Sequence, residues 1–350
     1  MTNIKEIKSA QKRLDGFVRK TPILNSPFLD DIAGRRVFVK AECLQHTGSF
    51  KFRGGWSAIS ALSNEQKSNG VLAISSGNHA QGVAYAAKAF VVKAVIVMPK
   101  DAPKLKIENT KSLGAKVVLY DRLNENREAL GLKISNENKL TQIKPYDEPL
   151  VIAGQGTCGL EIATQSKQLN IVDSDVIVCC GGGGLTSGIA LALEQEAPKL
   201  KVRTAEPLNF NDVALSLKNG KIMQNSSLTG SICDAILTPK PGTLTFPIMN
   251  KLCGAGLTVS DEECLEAMYL AFLRLKLVLE PGGAAALASA LFRKNEIKGD
   301  NVIVVATGGN VDNIVFAQAM KNSFKQNRFL SSFFYWRTNG YSYAVSTQSY

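Results

Sequence analysis

The chain has 350 residues, of which 45% are hydrophobic and 20% charged, a balance typical of soluble globular proteins. This length is sufficient for one large or two medium domains. The formal net charge of +11 suggests nucleic acid as one partner, but the basic residues are interspersed with acidic ones and form no basic arm. We therefore expect no nucleic-acid function; the charge either steers an anionic small molecule or has no role.

The cysteines, the histidines and the N-terminal segment exclude further classes of protein. The seven cysteines include no C-x-x-C pair, and His46 and His79 are the only histidines. We therefore expect reduced thiols in a cytoplasmic protein rather than disulfides or a zinc site. Residues 1–17 predict a polar amphipathic helix without the apolar segment of a signal peptide. The most apolar predicted helix, residues 266–279, carries two basic residues, so we expect no membrane span.

Apolar runs alternate with helical patterns from residue 70 onward. The first half predicts strands at 71–74, 94–98 and 116–120, separated by helices at 78–90, 103–113 and 124–134. The second half predicts strands at 175–180, 202–205 and 302–305, and helices at 159–169, 185–196, 261–277, 283–292 and 310–320. Residues 207–255 contain four prolines and predict irregular structure. Apolar strands separated by helices indicate parallel sheets covered on both faces, so we predict an α/β protein with two open, twisted, mostly parallel sheets.

The strongest motif is a run of glycines between a predicted buried strand and a predicted helix: Gly181, Gly182, Gly183 and Gly184. Bare backbone N–H groups at a helix N-terminus bind anions, and glycine lets the backbone close around a phosphate. The dinucleotide spacing G-x-G-x-x-G fails because Thr186 or Ser187 stands at its third glycine, and no P-loop lysine follows. We therefore predict a site for a phosphate monoester; the alternative is a flexible turn.

Lys51 follows a Gly-Ser turn within residues 47–55, at the start of a helix predicted to end near residue 62. The partial positive charge of a helix start disfavours an ammonium, so the pKa of Lys51 should fall if the side chain is also shielded from water. A neutral lysine is a nucleophile, and its natural chemistry is a Schiff base with a carbonyl. The alternative is a solvated surface lysine.

Polar residues also stand where other predicted strands end, at the edge where ligands bind in open parallel sheets. Ser75, Ser76, Asn78 and His79 follow strand 71–74 and either hold a carboxylate or act as an ordinary helix cap. Thr307 places a hydroxyl after strand 302–305, with a helix cap again as the alternative.

Together these motifs resemble the serine racemase and threonine/serine dehydratase family of fold-type II pyridoxal-phosphate enzymes. The resemblance covers residues 21–320 and is carried by T-P-I-L, G-S-F-K-F-R-G, S-S-G-N-H-A-Q-G, G-Q-G-T, C-G-G-G-G-L, A-E-P, L-E-P-G-G-A and T-G-G-N-V-D, in the family's order. It implies a large cofactor-binding domain of residues 1–65 and 148–322 and a small domain of residues 66–147. Residues 323–350, with nine aromatic and no acidic residues, form an atypical C-terminal extension.

The resemblance implies how pyridoxal 5'-phosphate binds. Lys51 would form a Schiff base with the cofactor, and Phe50 would pack against one face of its ring. Asn78 would hydrogen-bond the ring 3-oxygen, and the four glycines would hold the phosphate. Thr307 would face the pyridine nitrogen, where the family usually has Ser or Cys; a neutral hydroxyl leaves that nitrogen largely unprotonated.

The resemblance also implies substrate contacts. Ser75, Ser76, Asn78 and His79 would surround the substrate carboxylate, and Ser76 would act as a second acid on the ring face opposite the lysine, as racemisation requires. Arg127 matches a position associated with substrate handling and would pair with a second carboxylate. A solvated arginine on a polar helix is the alternative.

A divalent cation is a further expectation. Glu206 ends a predicted strand and Asp212 follows across a turn, and two carboxylates with an intervening backbone carbonyl suit Mg²⁺ or Ca²⁺. A solvated pair of carboxylates is the alternative. In racemase-like members of the family, the positions of Glu206, the Phe210 carbonyl and Asp212 bind a divalent ion.

The activity implied is that of an ammonia-lyase acting on a small L-hydroxyamino acid such as threonine or serine. The lysine amine would remove the α-proton, the β-hydroxyl would leave, and hydrolysis would give a 2-oxo acid and ammonia. The alternatives are a serine racemase, a 3-hydroxyaspartate dehydratase, or a binding protein that keeps the fold without turnover. Because family members are commonly dimers, we expect a homodimer.

Overall fold

The computed structural model of the protein describes residues 2–102, 104–227 and 229–325. Its strands are short and mostly apolar. In chain order they are β1 Ile23–Asn25, β2 Arg36–Lys40, β3 Val71–Ile74, β4 Ala94–Pro99, β5 Lys116–Tyr120, β6 Thr141–Gln142, β7 Ser174–Cys179, β8 Leu200–Pro207, β9 Leu257–Val259 and β10 Asn301–Val305.

These strands form two sheets. The larger has the order β1-β2-β10-β7-β8-β9 and the smaller the order β5-β4-β3-β6. Every pairing among these strands is parallel except that of β1 with β2. The predicted α/β fold with two mostly parallel sheets is confirmed. The smaller sheet lies between residues 71 and 142, and the assignment of residues 66–147 to a separate small domain stays a prediction.

Helices flank both sheets. They are α1 Ile4–Leu14, α2 Pro27–Ala33, α3 Lys51–Ser60, α4 Asn64–Asn69, α5 Asn78–Ala89, α6 Lys104–Ser112, α7 Arg127–Asn138, α8 Pro149–Gln168, α9 Gly184–Glu196, α10 Asp212–Asn219, α11 Thr245–Leu252, α12 Asp261–Leu275, α13 Pro281–Phe292 and α14 Asn313–Lys325. One buried cluster packs α12 and α13 against one face of the larger sheet, and a second packs α8 and α9 against the other. A third joins α1, α3 and α5 to the smaller sheet.

The predicted start of one helix is wrong. Helix α8 begins at Pro149, ten residues before the predicted start, and has 20 residues. Its glycines allow close helix packing rather than a turn. A Cβ on Gly156 would lie 2.9 Å from the carbonyl oxygen of Gly188 on α9, and one on Gly154 would overlap the backbone of α3.

The prediction of irregular structure for residues 207–255 is also wrong, because α10 and α11 lie within it. Pro247 is the third residue of α11, where its missing N–H leaves no intrahelical hydrogen bond unmade. Helix α14 begins at residue 313 rather than 310. Residues 326–350, which hold most of the predicted C-terminal extension, lie outside the described residues.

The fold bears on two features that the sequence analysis addressed, disulfides and membrane-spanning helices. All seven cysteines are free thiols in this structure. Among the described residues, no helix combines the length and the apolar character needed to cross a membrane.

Candidate active site

A cavity of about 630 Å³ lies between the two sheets, at the carboxyl ends of β3, β7 and β10. Its lining includes every residue predicted to bind cofactor or substrate: Phe50, Lys51, Ser75, Ser76, Asn78, His79, Arg127, Gly181, Gly182, Gly183, Gly184 and Thr307. These residues meet because the carboxyl ends of parallel strands share one edge of each sheet. The predicted metal ligands Glu206, Phe210 and Asp212 are not part of this lining.

Lys51 is the first residue of α3, and its ammonium donates a hydrogen bond to the Pro145 carbonyl at 2.7 Å. Its Nζ lies 5.0 Å from the centroid of the Phe50 ring. Removal from bulk water lowers the pKa of Lys51 to about 8, while the carboxylate of Glu280 acts in the opposite direction. A fraction of the amine is therefore uncharged near neutral pH, as a basic or nucleophilic lysine requires.

A buried ion network fixes the helix that carries Lys51. Arg53 is fully buried and donates to both carboxylate oxygens of Glu42, each at 2.8 Å. It also donates to Glu161 at 2.8 Å, and Lys40 donates to the other oxygen of Glu161 at 2.5 Å. Two cations and two carboxylates thus join α3 to α8 and to the end of β2, which holds α3 in one orientation.

The side-chain amide of Asn78 is held at both ends. Its Nδ2 donates to Glu280 Oε1 at 2.5 Å, and Asn310 Nδ2 donates to its Oδ1 at 2.7 Å. These two contacts determine which way the amide points. Because an amide nitrogen carries two hydrogens, one N–H of Asn78 remains to donate into the cavity.

Glu280 is a site residue that the sequence analysis missed. It precedes α13, lines the cavity and is only 3% exposed. Burial raises the pKa of Glu280 to about 7, although the hydrogen bond from Asn78 works in the opposite direction. Its motif L-E-P-G-G-A indicates a helix start, but no local pattern shows contact with a residue 202 positions earlier.

His79 is buried and neutral. Its Nε2 lies 2.9 Å from the Ile143 carbonyl, so this nitrogen carries the hydrogen, and Nδ1 is left as an unpartnered acceptor among the described residues. Burial and the nearby Lys51 lower the pKa of His79 to about 3. A neutral ring that presents a lone pair does not attract a carboxylate. The backbone N–H groups at the start of α5 can, because the first turn of a helix has no intrahelical acceptors for them.

The glycine run connects β7 to α9 and has no room for side chains. Gly183 has φ +90°, a left-handed conformation, and directly precedes the first residue of α9. A Cβ on Gly182 would overlap the Tyr146 ring, and one on Gly184 would lie 2.6 Å from Gln155 Oε1. Protein atoms therefore close one side of the loop, while its residues line the cavity ahead of the N-terminus of α9.

Two buried hydroxyls lie beside this loop, and both residues line the cavity. Thr238 Oγ1 lacks a hydrogen-bond partner within the described part of the chain, whereas Thr186 interacts with the Cys180 thiol. A buried hydroxyl without a partner costs free energy that an added hydrogen bond recovers. With the backbone N–H groups at the start of α9, this set of donors fits a phosphate monoester.

Thr307 follows β10 and is 4% exposed. Its carbonyl accepts a hydrogen bond from the Phe50 N–H at 3.1 Å, and its own N–H donates to the Gly283 carbonyl at 3.4 Å. The end of β10 is thereby joined to the turn before Lys51 and to the start of α13. This places the Thr307 side chain in the cavity wall opposite the smaller sheet.

Arg127 reaches the cavity from the start of α7, on the side of the smaller sheet. Its side chain is half-exposed and contacts only the adjacent Glu128, at 3.3 Å, among the ion pairs of the described residues. Such a loose pair leaves the guanidinium available for another anion.

Glu206 and Asp212 lie close together outside the cavity. The Glu206 carboxylate accepts hydrogen bonds from the N–H groups of Val213 and Ala214, at 2.8 and 2.7 Å. Asp212 Oδ1 accepts from Asn225 at 2.6 Å, while the buried Oδ2 has no partner in the described structure. Burial raises the pKa of Asp212 to about 7 and that of Glu206 well above its ordinary value, with Asp212 adding to the shift on Glu206.

This pair of carboxylates fits a hard cation, which would neutralise both charges and give Asp212 Oδ2 a partner. The described residues contain no group of three or more His, Cys, Asp or Glu side chains arranged for a metal. Backbone carbonyls and water would therefore complete the coordination.

A lysine of lowered pKa and a glycine loop ahead of a helix start, in one cavity, fit the class of enzymes that bind a carbonyl compound carrying a phosphate. The chain belongs to the pyridoxal-phosphate dependent enzyme family, whose profile matches residues 14–308. This confirms the resemblance identified from the motifs.

Individual relatives include both ammonia-lyases and racemases. An L-threo-3-hydroxyaspartate ammonia-lyase from Pseudomonas sp is 40% identical over 321 residues, which is 92% of this chain and 99% of the relative. A serine racemase from Schizosaccharomyces pombe is 40% identical over 307 residues, 88% of this chain and 94% of the relative. The solved structure of a serine racemase from Dictyostelium discoideum matches with a TM-score of 0.82 and 37% identity, covering 89% of this chain and 99% of that one.

Proposed function

We propose that the protein is an ammonia-lyase that uses pyridoxal phosphate to convert a small L-hydroxyamino acid into a 2-oxo acid and ammonia. The observation that carries this proposal is the presence, in one cavity, of Lys51 with a lowered pKa and the glycine loop beside the unpartnered hydroxyl of Thr238. The similarity to two ammonia-lyases and a racemase of hydroxyamino acids supports it.

The positions of the side chains in the cavity support the following cofactor contacts. Lys51 would bond the cofactor carbonyl, Phe50 would pack on the ring, and Asn78 would donate its free N–H to the ring oxygen. The four glycines and the N-terminus of α9 would hold the phosphate, and Thr307 would face the ring nitrogen. Once bound, pyridoxal phosphate supplies an electron sink that makes the α-proton of an amino acid acidic.

Lys51 would act as the base. With substrate and cofactor bound, the Lys51 amine would accept the α-proton, and the β-hydroxyl would take up a proton and leave as water. A pKa near 8 suits this role, because the amine must be uncharged to accept a proton and basic enough to hold it. The Pro145 carbonyl provides the nearby acceptor that orients the protonated lysine.

The substrate carboxylate would lie at the start of α5. Backbone N–H groups there, with the hydroxyls of Ser75 and Ser76, supply donors to it. His79 would contribute its backbone N–H and the shape of the wall rather than a charge, because its ring is neutral.

Serine and threonine are the smallest substrates that meet these requirements. Arg127, loosely paired at the cavity wall, adds support for a substrate with a second carboxylate. The Pseudomonas relative named for L-threo-3-hydroxyaspartate points to the same class. We therefore propose 3-hydroxyaspartate as a substrate alongside serine and threonine.

Serine racemisation is a second candidate function. Ser76 lines the cavity next to Asn78, and a second proton donor on the ring face opposite Lys51 would allow protonation from either side. The relatedness to serine racemases favours this candidate.

Further features complete the proposal. Glu206, the Phe210 carbonyl and Asp212 would hold Mg²⁺ or Ca²⁺. Residues 1–65 with 148–322 would form the cofactor-binding domain and residues 66–147 the small domain. The protein would act as a cytoplasmic homodimer.

The lysine is tested by spectroscopy and by turnover. Protein incubated with pyridoxal phosphate should show the visible absorbance band of a Schiff base, and Lys51→Ala should lose both the band and ammonia release. Lys240→Ala, a change at another lysine of the cavity lining, is the matched control and should retain the band. A wild-type protein that stays colourless would contradict the cofactor assignment.

Product assays separate the two candidate functions. L-serine, L-threonine, D-serine and L-threo-3-hydroxyaspartate are supplied separately, and ammonia and D-serine are measured. Ser76→Ala should lose D-serine formation while ammonia release from L-serine continues. Unchanged D-serine formation in this variant would exclude Ser76 as the second acid.

A further inference from the structure

Lys106 is a cation of the cavity wall to which the reaction proposed above gives no role. It lies on α6, beside the smaller sheet, and its Nζ is 3.4 Å from Oδ2 of Asp234, which also lines the cavity. The Lys106 side chain is only 17% exposed, whereas that of Asp234 is 65% exposed.

This ion pair is a weak one. Its N–O distance is long for a charge-assisted hydrogen bond, and one partner is largely in water, where screening reduces the attraction. A mostly buried ammonium gains more from an anion that is itself withdrawn from water. The Lys106 ammonium can therefore give up its ion pair with Asp234 and bind instead a carboxylate that enters the cavity.

The charge of Lys106 reaches the inner part of the site. It acts on the buried carboxylate of Glu280, which binds Asn78, and opposes the rise that burial causes in the pKa of Glu280. Lys106 thus lies within electrostatic range of the residues that would contact cofactor and substrate. Arg127, the other loosely paired cation on this side of the cavity, is half-exposed and lies nearer the solvent.

We propose that Lys106 is the residue that determines specificity for a second carboxylate on the substrate. A substrate held by its α-carboxylate at the start of α5 extends its β-substituent toward the wall formed by α6 and α7. Lys106 then leaves Asp234 and binds the β-carboxylate, with Arg127 contributing from the solvent side. The inference rests on the proposed function, and the class of ligand is a small amino dicarboxylate such as 3-hydroxyaspartate.

Asp234 competes with the substrate carboxylate for the Lys106 ammonium. Removing the negative charge of Asp234 should therefore strengthen the binding of dicarboxylates. Lys106→Met and Asp234→Asn should therefore change dicarboxylate binding in opposite directions. A structural role for the ion pair predicts instead that both substitutions act in the same direction.

The test uses the cofactor-loaded enzyme and two substrates. Lys106→Met should reduce kcat/KM for L-threo-3-hydroxyaspartate by about 10- to 100-fold, as expected for one charge-assisted hydrogen bond. The kcat/KM for L-serine should stay within about threefold, because serine has no second carboxylate. Lys104→Met, a change at an exposed lysine on the same helix, is the matched control and should alter neither value. Lys106→Arg should restore most of the dicarboxylate preference.

Binding of succinate, measured by calorimetry, gives a readout without turnover. Its affinity should fall in Lys106→Met and rise in Asp234→Asn. Equal losses for serine and 3-hydroxyaspartate, or unchanged succinate binding in both variants, would overturn the role of Lys106. Wild-type enzyme that turns over no hydroxyamino acid would reject the proposed function, yet opposite shifts in succinate affinity would still support Lys106 as a dicarboxylate ligand.

Discussion

Glu280 shows how one buried side chain links stability to pH. Its pKa is about 7 in the folded protein because of burial, above the value near 4.5 of an unburied glutamate. The folded state therefore holds this proton over a pH range in which the unfolded state has released it. Its contribution to stability is fully present below pH 4.5 and is lost as the pH rises through 7.

We predict that Glu280→Gln removes this pH dependence. In the cofactor-free wild-type protein, ionisation of Glu280 should make the free energy of unfolding about 3 kcal/mol smaller at pH 7.5 than at pH 4.5. The variant should lack this decrease with pH, while its side-chain amide still accepts a hydrogen bond from Asn78. Urea unfolding at several pH values measures the difference. Glu137→Gln, at an exposed position of α7, is the control, and identical slopes for Glu280→Gln and wild type would contradict the assignment.

The contrast between Lys51 and Glu280 shows which site residues a sequence can identify. Lys51 could be identified because its turn, its helix start and the glycine run are all local patterns. The lowered pKa of Lys51 was predicted correctly in direction, although burial rather than the helix start is its main cause. Glu280 and Lys106 could not be identified, because their partners Asn78 and Asp234 lie 202 and 128 positions away.

The glycine loop is an element whose shape depends on the absence of a side chain. We predict that Gly182→Ala weakens pyridoxal phosphate binding by about 5- to 150-fold, because its Cβ would overlap the Tyr146 ring and overpacking typically costs about 1–3 kcal/mol. Spectroscopic titration measures the affinity. Replacing Tyr146 by Ala in the same protein should restore part of it by making room. A double variant no better than the single one would show that the Tyr146 contact is not the cause.

We predict that breaking the buried ion network that joins α3 to α8 lowers stability strongly. Arg53→Met leaves the buried Glu42 carboxylate without its main partner and should lower the free energy of unfolding by about 3–5 kcal/mol. The control is Lys8→Met, which removes the exposed pair with Glu196 and should cost less than about 1 kcal/mol. Urea unfolding of both variants at one pH gives the comparison. Similar losses in the two variants would show that the buried network has no special role.

Helix boundaries show where sequence patterns are insufficient. Strands β3, β4 and β5 fall within one residue of prediction because each is an apolar run between turn residues. The first half of α8 was missed because Gly154 and Gly156 have low helix propensity, and only the contacts with α3 and α9 explain them. The two helices between residues 207 and 255 were missed because prolines suggested loops.

At the scale of the whole molecule, the proposed cation site lies close to the glycine run, because Glu206 and Asp212 both act on Cys180. Cys180 immediately precedes the glycine run, and burial, with the charges of Glu206 and Asp212, raises the pKa of its thiol. Cys180 also packs against Val213 in α10. A cation at the two carboxylates would therefore stabilise α10 and, through Cys180, the backbone of the glycine run.

We predict that Mg²⁺ or Ca²⁺ stabilises the wild-type protein above pH 7, where Asp212 is mostly ionised. At about 100 times the dissociation constant, the gain should be about 3 kcal/mol in the free energy of unfolding. Asp212→Asn should remove this response, yet be more stable than wild type in EDTA, because it removes a buried charge beside Glu206. Asp173→Asn, at an exposed position, should respond to the cation like wild type. If the site binds a metal, Asp212→Asn should be the more stable protein in EDTA and wild type the more stable one with added cation, whereas a carboxylate pair held only by hydrogen bonds predicts no such reversal. A wild-type melting temperature that neither Mg²⁺ nor Ca²⁺ changes would contradict the metal site, and Glu206 would then serve only to accept the N–H groups at the start of α10.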